Sequence, residues 1–254
     1  MQKDWVFDSR QYLGHSLFGK SQSERQIFKE LLSSPIRKIL LYPTKPKNYH
    51  LEDANNRVLL AASENRKSIF AVCRVDPWQG KKALVECEKH LFSGNFHALY
   101  LDPVEENFPL YHECVNRLMQ LVMKLKSRVI LNAGIDPHTH PGQWRHFTAK
   151  YPEIPFLILN GGQINISGLL LSQAENAFLE NKNCYMEFAG VYRNDFVEFL
   201  VKKGMGDRIC FGSGAPRFHK EFELERFKSL KLTAGVRKKI ARENIMHFLG
   251  LKDK

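Results

Sequence analysis

Short apolar runs alternate with helical patterns along the chain, and this alternation constrains the fold more than any other feature. Eight runs are predicted as strands, and most of them are continuously apolar, as strands buried on both faces are. The predicted strands are Trp5–Asp8, Lys38–Tyr42, Ser68–Val75, Ala98–Leu101, Arg128–Asn132, Phe156–Asn160, Cys184–Phe188 and Arg208–Phe211. Helical spacing of apolar residues marks Glu24–Leu32, Asp53–Glu64, Leu110–Lys126, Ser167–Glu180, Asp195–Lys203 and Thr233–Leu249.

Eight strand-and-helix units in 254 residues predict a (β/α)8 TIM barrel, a fold that typically takes about 250 residues. A doubly wound open sheet is the alternative. The barrel is favoured because the eight units use the whole chain and leave no block for a second domain. We therefore expect a single domain over residues 1–254.

Composition narrows the class of protein. Hydrophobic residues make up 43% of the chain, which is enough for a sizeable core, and no apolar stretch approaches the roughly 18 residues of a membrane-spanning helix. The five cysteines stand singly without a CxxC pair, and the amino-terminal residues lack the apolar core of a secretion signal. These features predict reduced thiols and a cytoplasmic location.

The net charge of +11 invites a nucleic-acid interpretation, but the basic residues are scattered over several predicted helices and loops. Nucleic-acid-binding proteins tend to concentrate such charge on one face. We therefore expect most of this charge to lie on solvated helix faces, with no nucleic acid and no membrane as partner. The expected partner is a small anionic molecule held by arginines, and a homo-oligomer is left open.

Polar residues cluster where the predicted strands end, and the carboxyl ends of the strands carry the active site in TIM barrels. This polar ring includes Asp8, Arg10, Tyr12, Arg74, Asp102, Asn132, Asn160, Glu187, Ser213 and Arg217. The alternative is that this ring has no functional role, because the mouth of any barrel is exposed to solvent and therefore polar.

Two further motifs lie near the predicted strand ends. His138 and His140, with Asp136 close by, form an HxH pair in a Pro-flanked loop, which predicts either a rim of the pocket or a relocated metal site. Glycines after the sixth and eighth strands predict either a backbone cradle for an anion or simply tight turns.

Several segments carry a family resemblance through their order and spacing. They include Arg74-Val75-Asp76-Pro77, Cys184-Tyr185-Met186-Glu187, Arg208–Pro216 and Glu243–Leu251. Together they resemble the amidohydrolase-related family of metal-dependent TIM-barrel hydrolases and decarboxylases, over nearly the whole chain. The resemblance implies a metal held by two histidines of the first strand, a histidine of the fifth and an aspartate of the eighth, with a histidine of the sixth nearby.

Each of those implied ligand positions has a different residue here. They are occupied by Arg10, Tyr12, Asn132, Gly214 and Asn160. A guanidinium and a glycine donate no lone pair, and tyrosine or an amide replaces imidazole poorly on zinc. We therefore predict that the protein uses no metal and no other cofactor.

The resulting functional prediction is a metal-independent hydrolase or lactonase acting on a small carboxylate at the barrel mouth. Arg10, Arg74 or Arg217 would hold the anion, and Asp8, Asp102 or Glu187 would be the general base. Tyr12, Asn132, His138, His140, Asn160 and Ser213 would complete the substrate site. The alternative is an inactive pseudoenzyme kept for binding a ligand or partner, and a mouth filled by side chains would favour it.

Overall fold

The computed structural model describes residues 5–16, 20–135, 137–163 and 168–251, apart from the side chains of residues 168 and 169. Its nine strands are β1 (Val6–His15), β2 (Ser21–Gln22), β3 (Ile36–Pro43), β4 (Ile69–Arg74), β5 (Phe96–Leu101), β6 (Val129–Leu131), β7 (Phe156–Ile158), β8 (Cys184–Glu187) and β9 (Ile209–Cys210). They form one sheet in the order β2-β1-β3-β4-β5-β6-β7-β8-β9. All neighbouring pairs are parallel except the β1–β2 hairpin.

The sheet closes on itself between β1 and the segment that follows β9. Ser9 N–H donates to the Phe211 carbonyl at 3.0 Å, and Tyr12 N–H donates to the Ala215 carbonyl at 2.8 Å. Gln11 and Ala215 form a parallel bridge at the same edge. The predicted (β/α)8 barrel is therefore confirmed, and the open sheet is wrong.

Helices follow the barrel strands, as the apolar spacing predicts. They are α1 (Glu24–Ser33), α2 (Leu51–Glu64), α3 (Lys81–Phe92), α4 (Glu113–Lys124), α5 (Pro141–Ala149), α6 (Gly168–Glu180), α7 (Asn194–Leu200), α8 (Lys220–Ser229), α9 (Ala234–Lys238) and α10 (Asn244–Leu249). The predicted helix Thr233–Leu249 is interrupted by a π-helical turn, Lys239–Glu243. No helix within the described ranges is long and apolar enough to cross a membrane.

Apolar side chains pack in two layers on opposite faces of the sheet. The outer layer joins the strands to the helices. The inner layer fills the barrel with residues such as Phe7, Phe70 and Tyr185, and α10 packs against it with Phe248 and its neighbours. Apolar side chains fill this interior, and the polar residues of the strands lie beyond it, at the carboxyl ends.

Strand β1 differs most from the prediction, because it continues to His15 rather than ending at Asp8. Its ladder with β3 shifts register between Asp8 and Gln11, where three steps along β1 match two along β3. Such a bulge turns later side chains to the opposite face. Phe7 and Tyr12, five positions apart, therefore both point into the barrel, and Arg10 lies inside a strand rather than after one.

Candidate functional site

Polar side chains form a buried layer across the barrel mouth. Arg10, Arg74, Asp102, Asn132, Asn160 and Glu187 lie at the strand ends, and each is at most 4% exposed. Exposure to solvent therefore does not account for the polarity of these six residues. Buried polar groups are costly unless they are paired, so the pairing of this layer decides what it can do.

Arg10 is the centre of this layer. Its Nη1 donates to Oδ1 of Asn160 at 2.7 Å, and its Nη2 lies 3.4 Å from Oε2 of Glu187. The side chain is 2% exposed, yet Nε and Nη2 have no hydrogen-bond partner among the described residues. These two atoms form one edge of the guanidinium, so a fork of two parallel donors is buried without a hydrogen bond, and the Glu187 carboxylate is only an ion-pair partner of Nη2.

A directional chain of hydrogen bonds runs from Arg10 across the mouth. Asn160 Nδ2 donates to Oδ1 of Asn132 at 2.7 Å, and Asn132 Nδ2 donates to Oδ1 of Asp102 at 2.9 Å. The chain thus starts at a cation and ends at an anion, an arrangement in which each bond polarises the next. This chain of hydrogen bonds connects Arg10, Asn160 and Asn132, which occupy three of the positions where the resemblance implies metal-site histidines.

Asp102 is held ionised at the end of this chain. Its Oδ2 accepts from the Tyr100 hydroxyl at 2.7 Å, and that hydroxyl lies 3.2 Å from the hydroxyl of Tyr12. Burial raises the pKa of Asp102, but the charges of Arg74 and Arg217 outweigh this effect, and the pKa is lowered overall. Asp102 is thus a buried anion beside Arg74 and Arg217, and its predicted role as a base stays a prediction.

Glu187 is similarly occupied. Its Oε1 accepts from the Ala189 N–H at 2.6 Å, and its Oε2 accepts from the Asn160 N–H at 3.1 Å. Burial raises its pKa, and the charge of Arg10 opposes the rise only in part. This carboxyl is the one that lies beside the open edge of Arg10.

Asp8 is held by hydrogen bonds from β1 and from the segment after β9. Its Oδ1 accepts from the Ser213 N–H at 2.8 Å and from the Arg10 N–H at 3.1 Å, while its Oδ2 accepts from Gln11 Nε2 at 2.8 Å. Burial raises its pKa to about 7. The structure thus shows Asp8 bracing the closing edge of the barrel, and its predicted role as a base stays a prediction.

A second ionic cluster adjoins the layer, and its acidic members, Glu105 and Glu106, were not among the predicted site residues. Arg74 donates to Oε1 of Glu106 at 2.6 Å and to Oε2 of Glu105 at 2.5 Å, and Arg217 also donates to Glu105. Burial raises the pKa of Glu106 to about 7. The signal was present in the sequence, since Glu105 and Glu106 closely follow Asp102 at a strand end.

The remaining predicted residues have other partners. His140 caps α5 by accepting the Gly142 N–H at 3.1 Å, and His138 lies 2.9 Å from Oδ1 of Asn107. Ser213 donates weakly to the Arg10 carbonyl at 3.4 Å. None of these contacts reaches the Arg10 fork, and Asp136 lies outside the described residues.

The glycine-rich turns are shaped by close packing. The N–H groups of Ser213 and Gly214 already donate to Asp8 and to the Arg10 carbonyl. A Cβ on Gly212 would lie 2.5 Å from Oε1 of Glu187. These observations favour the tight-turn interpretation over an anion cradle.

The residues at the implied ligand positions do not fit a divalent cation. The Arg10 guanidinium, which only donates, lies against Asn160, and a Cβ on Gly214 would lie 2.8 Å from its Nη2. A carboxylate at position 214 would thus need the space that Arg10 occupies. In the described ranges, no group of three or more His, Cys, Asp or Glu residues is arranged to hold a metal.

Comparisons with known proteins agree with this architecture. A search of curated proteins finds no match. Solved structures with a similar fold include a putative amidohydrolase from Staphylococcus aureus (12% identity, 97% of this chain and 99% of that chain, TM-score 0.77). A probable 2-pyrone-4,6-dicarboxylic acid hydrolase from Acinetobacter baumannii, with citric acid bound, is 16% identical (97% and 99% covered, TM-score 0.75). A 5-carboxyvanillate decarboxylase from Novosphingobium aromaticivorans, with bound manganese, is 12% identical (98% of each chain, TM-score 0.76).

The family assignment rests on the sequence rather than on these distant structures. The sequence profile described as "Amidohydrolase" matches residues 47–251, which is most of the chain. That match includes β4 to β9 and the helices between them. The chain therefore belongs to the amidohydrolase family.

Proposed function

We propose that this protein binds a small carboxylate-bearing molecule at Arg10, in the barrel mouth, without a divalent metal. The observation that carries the proposal is the fork of Nε and Nη2, which is buried and makes no hydrogen bond in the described part of the chain, although Nη2 is ion-paired with Glu187 at 3.4 Å. A buried donor left unpaired costs about 1–3 kcal/mol. A carboxylate accepts from both donors at once, so binding it removes that cost.

The substitution pattern supports a metal-independent site. A guanidinium supplies a fixed positive charge where the resembling family has a cation, but it cannot lower the pKa of a bound water as zinc does. Citric acid bound to the structural neighbour from Acinetobacter baumannii supports the choice of a carboxylate as the ligand class. In this proposal Arg10 holds the ligand, and Glu187 and Asn160 position the guanidinium.

Hydrolysis of a lactone or ester that carries this carboxylate is the second candidate function. One observation favours it: Glu187 lies 3.4 Å from the fork, and burial raises its pKa. A carboxyl in that position is placed to take a proton from an attacking water. The covered mouth and the occupied oxygens of Asp8, Asp102 and Glu187 favour ligand binding over turnover.

A thermal-shift screen of carboxylates, lactones and phosphates tests the proposal, because a ligand that binds the native state raises Tm. The screen is run in EDTA with the wild type and with Arg10→Met. We expect a carboxylate to raise the Tm of the wild type and to leave that of Arg10→Met unchanged. Equal shifts in both proteins, or no shift with any carboxylate, would refute it. Lactone turnover that disappears in Glu187→Gln would establish the second candidate.

A further inference from the structure

An aromatic ring covers the Arg10 guanidinium. Phe218 lies in the loop between β9 and α8, and its ring centre is 5.6 Å from Cζ of Arg10. The ring is half-buried, whereas the guanidinium beneath it is buried. Phe218 therefore lies between solvent and the cation of the proposed site.

Two glycines form the slot that this ring occupies. A Cβ on Gly190 would lie 2.6 Å from Cζ of Phe218, and a Cβ on Gly214 would lie 2.6 Å from its Cδ2. Both glycines have positive φ angles, +75° and +64°, which other residues rarely adopt. The slot exists because the backbone has no side chain at either position.

The slot and the open edge of Arg10 meet at Gly214. Its missing Cβ would lie 2.8 Å from Nη2 and 3.2 Å from Nε of Arg10. The two donors, which make no hydrogen bond to the described residues, therefore border the space beside the Phe218 ring. A molecule with its apolar body in the slot would have its carboxylate next to both donors.

Phe218 is a weaker partner for Arg10 than a carboxylate would be. A single cation–π contact is generally weaker than the two hydrogen bonds that a carboxylate accepts from a guanidinium. The ring also provides no acceptor for the in-plane Nε and Nη2 donors. An anion can therefore compete with the ring for this position.

We propose that Phe218 closes the Arg10 site and determines the size of its ligand. The ring swings out when the ligand enters, and the ligand's apolar body replaces it between Gly190 and Gly214. The ligand class is a monocarboxylate whose body is about as large as the Phe218 ring. This inference rests on the proposed function, since it needs a carboxylate at Arg10.

The test compares Phe218→Ala and Phe218→Leu with the wild type by isothermal titration in EDTA. The probes are cyclohexanecarboxylate, which has a ring-sized body, and acetate, which has almost none. Phe222→Ala is the matched control, because Phe222 is an exposed phenylalanine in the helix that follows the same loop. Thermal unfolding of each variant establishes that it folds, and Phe218→Leu carries the test if Phe218→Ala does not.

We expect Phe218→Ala to bind cyclohexanecarboxylate about tenfold more tightly than the wild type, because the apparent affinity is the intrinsic affinity multiplied by the fraction of molecules whose site is open. The affinity for acetate should increase less in Phe218→Ala than the affinity for cyclohexanecarboxylate. Phe218→Leu should bind cyclohexanecarboxylate with an affinity between those of the wild type and Phe218→Ala, and Phe222→Ala should bind it as the wild type does. Arg10-dependent binding that is unchanged in both Phe218 variants would overturn the role of Phe218 and leave the proposed function standing. Absence of Arg10-dependent binding in every variant would overturn the proposed function itself.

Discussion

Arg10 and Gly214 share one space in the barrel mouth, because a Cβ on Gly214 would lie 2.8 Å from Nη2 of Arg10. The resemblance to metal-dependent relatives places a metal ligand at each of these two positions. Here a large cation stands at one position, and the other has no side chain. The side chain of Arg10 therefore fits only because residue 214 is a glycine. Replacing one of the two residues by a metal ligand does not restore the ligand set that the resemblance implies.

Gly214→Ala should lower the free energy of unfolding by several kcal/mol. The new Cβ meets Arg10 and Phe218, and the φ of +64° adds a backbone cost of about 1–3 kcal/mol. Chemical denaturation measures the loss. Gly235→Ala is the control, because a Cβ there meets nothing within 4 Å and helix α9 favours alanine. If Gly214→Ala were as stable as Gly235→Ala, the claim that Arg10 occupies the space of a side chain at position 214 would be wrong.

Arg10→Met should destabilise the protein because it leaves Glu187 buried without its cation. Breaking a buried ion pair by removing one partner costs about 3–5 kcal/mol. Glu187→Gln removes the other charge, so the double variant should lose less stability than the two single variants combined. Denaturant unfolding of the four proteins gives the coupling energy. Strict additivity would show that the pair, at 3.4 Å, contributes nothing.

Glu106→Gln should change how stability depends on pH. Burial raises the pKa of Glu106 from the ordinary 4.5 to about 7, in a cluster where Glu105, Glu106 and Asp102 share Arg74. The folded chain therefore holds this proton to a higher pH than the unfolded chain, and Glu106 makes stability fall as pH rises from 4.5 to 7. The fall is about 1.4 kcal/mol for each pH unit of that window.

Unfolding free energies measured between pH 4.5 and 8 check this effect. In the wild type, the unfolding free energy should include a contribution from Glu106 that decreases as the pH rises from 4.5 to 7. This contribution should be absent in Glu106→Gln. Glu225→Gln, at an exposed ion pair far from the cluster in sequence, removes the same negative charge and provides a control for a general change of charge. Identical slopes in the wild type and Glu106→Gln would contradict the raised pKa.

The eight barrel strands were predictable because continuous apolar runs report burial on both faces. The apolar-run criterion failed for β1, because polar residues such as Arg10 and Gln11 interrupt the apolar pattern of a strand that continues to His15. A register shift is set by pairing with β3, which a local pattern does not show. Sequence reasoning therefore placed Arg10 near the mouth but not in its centre.

The connections within the site were harder to predict than its members. The chain from Arg10 through Asn160 and Asn132 joins strands that are distant in sequence. Phe218 was missed because its role depends on two glycines, Gly190 and Gly214, that come from different loops. Loop paths of this kind are set by tertiary packing rather than by local propensity.

The most direct test of the central claim is isothermal titration of cyclohexanecarboxylate into the wild type and Arg10→Met in the presence of EDTA. We predict that the wild type binds in EDTA and that Arg10→Met loses at least about thirtyfold in affinity, since removing one partner of a buried charge pair costs about 2–5 kcal/mol. Binding that is abolished by EDTA and restored by zinc or manganese, or binding that Arg10→Met retains, would contradict a metal-free carboxylate site at Arg10.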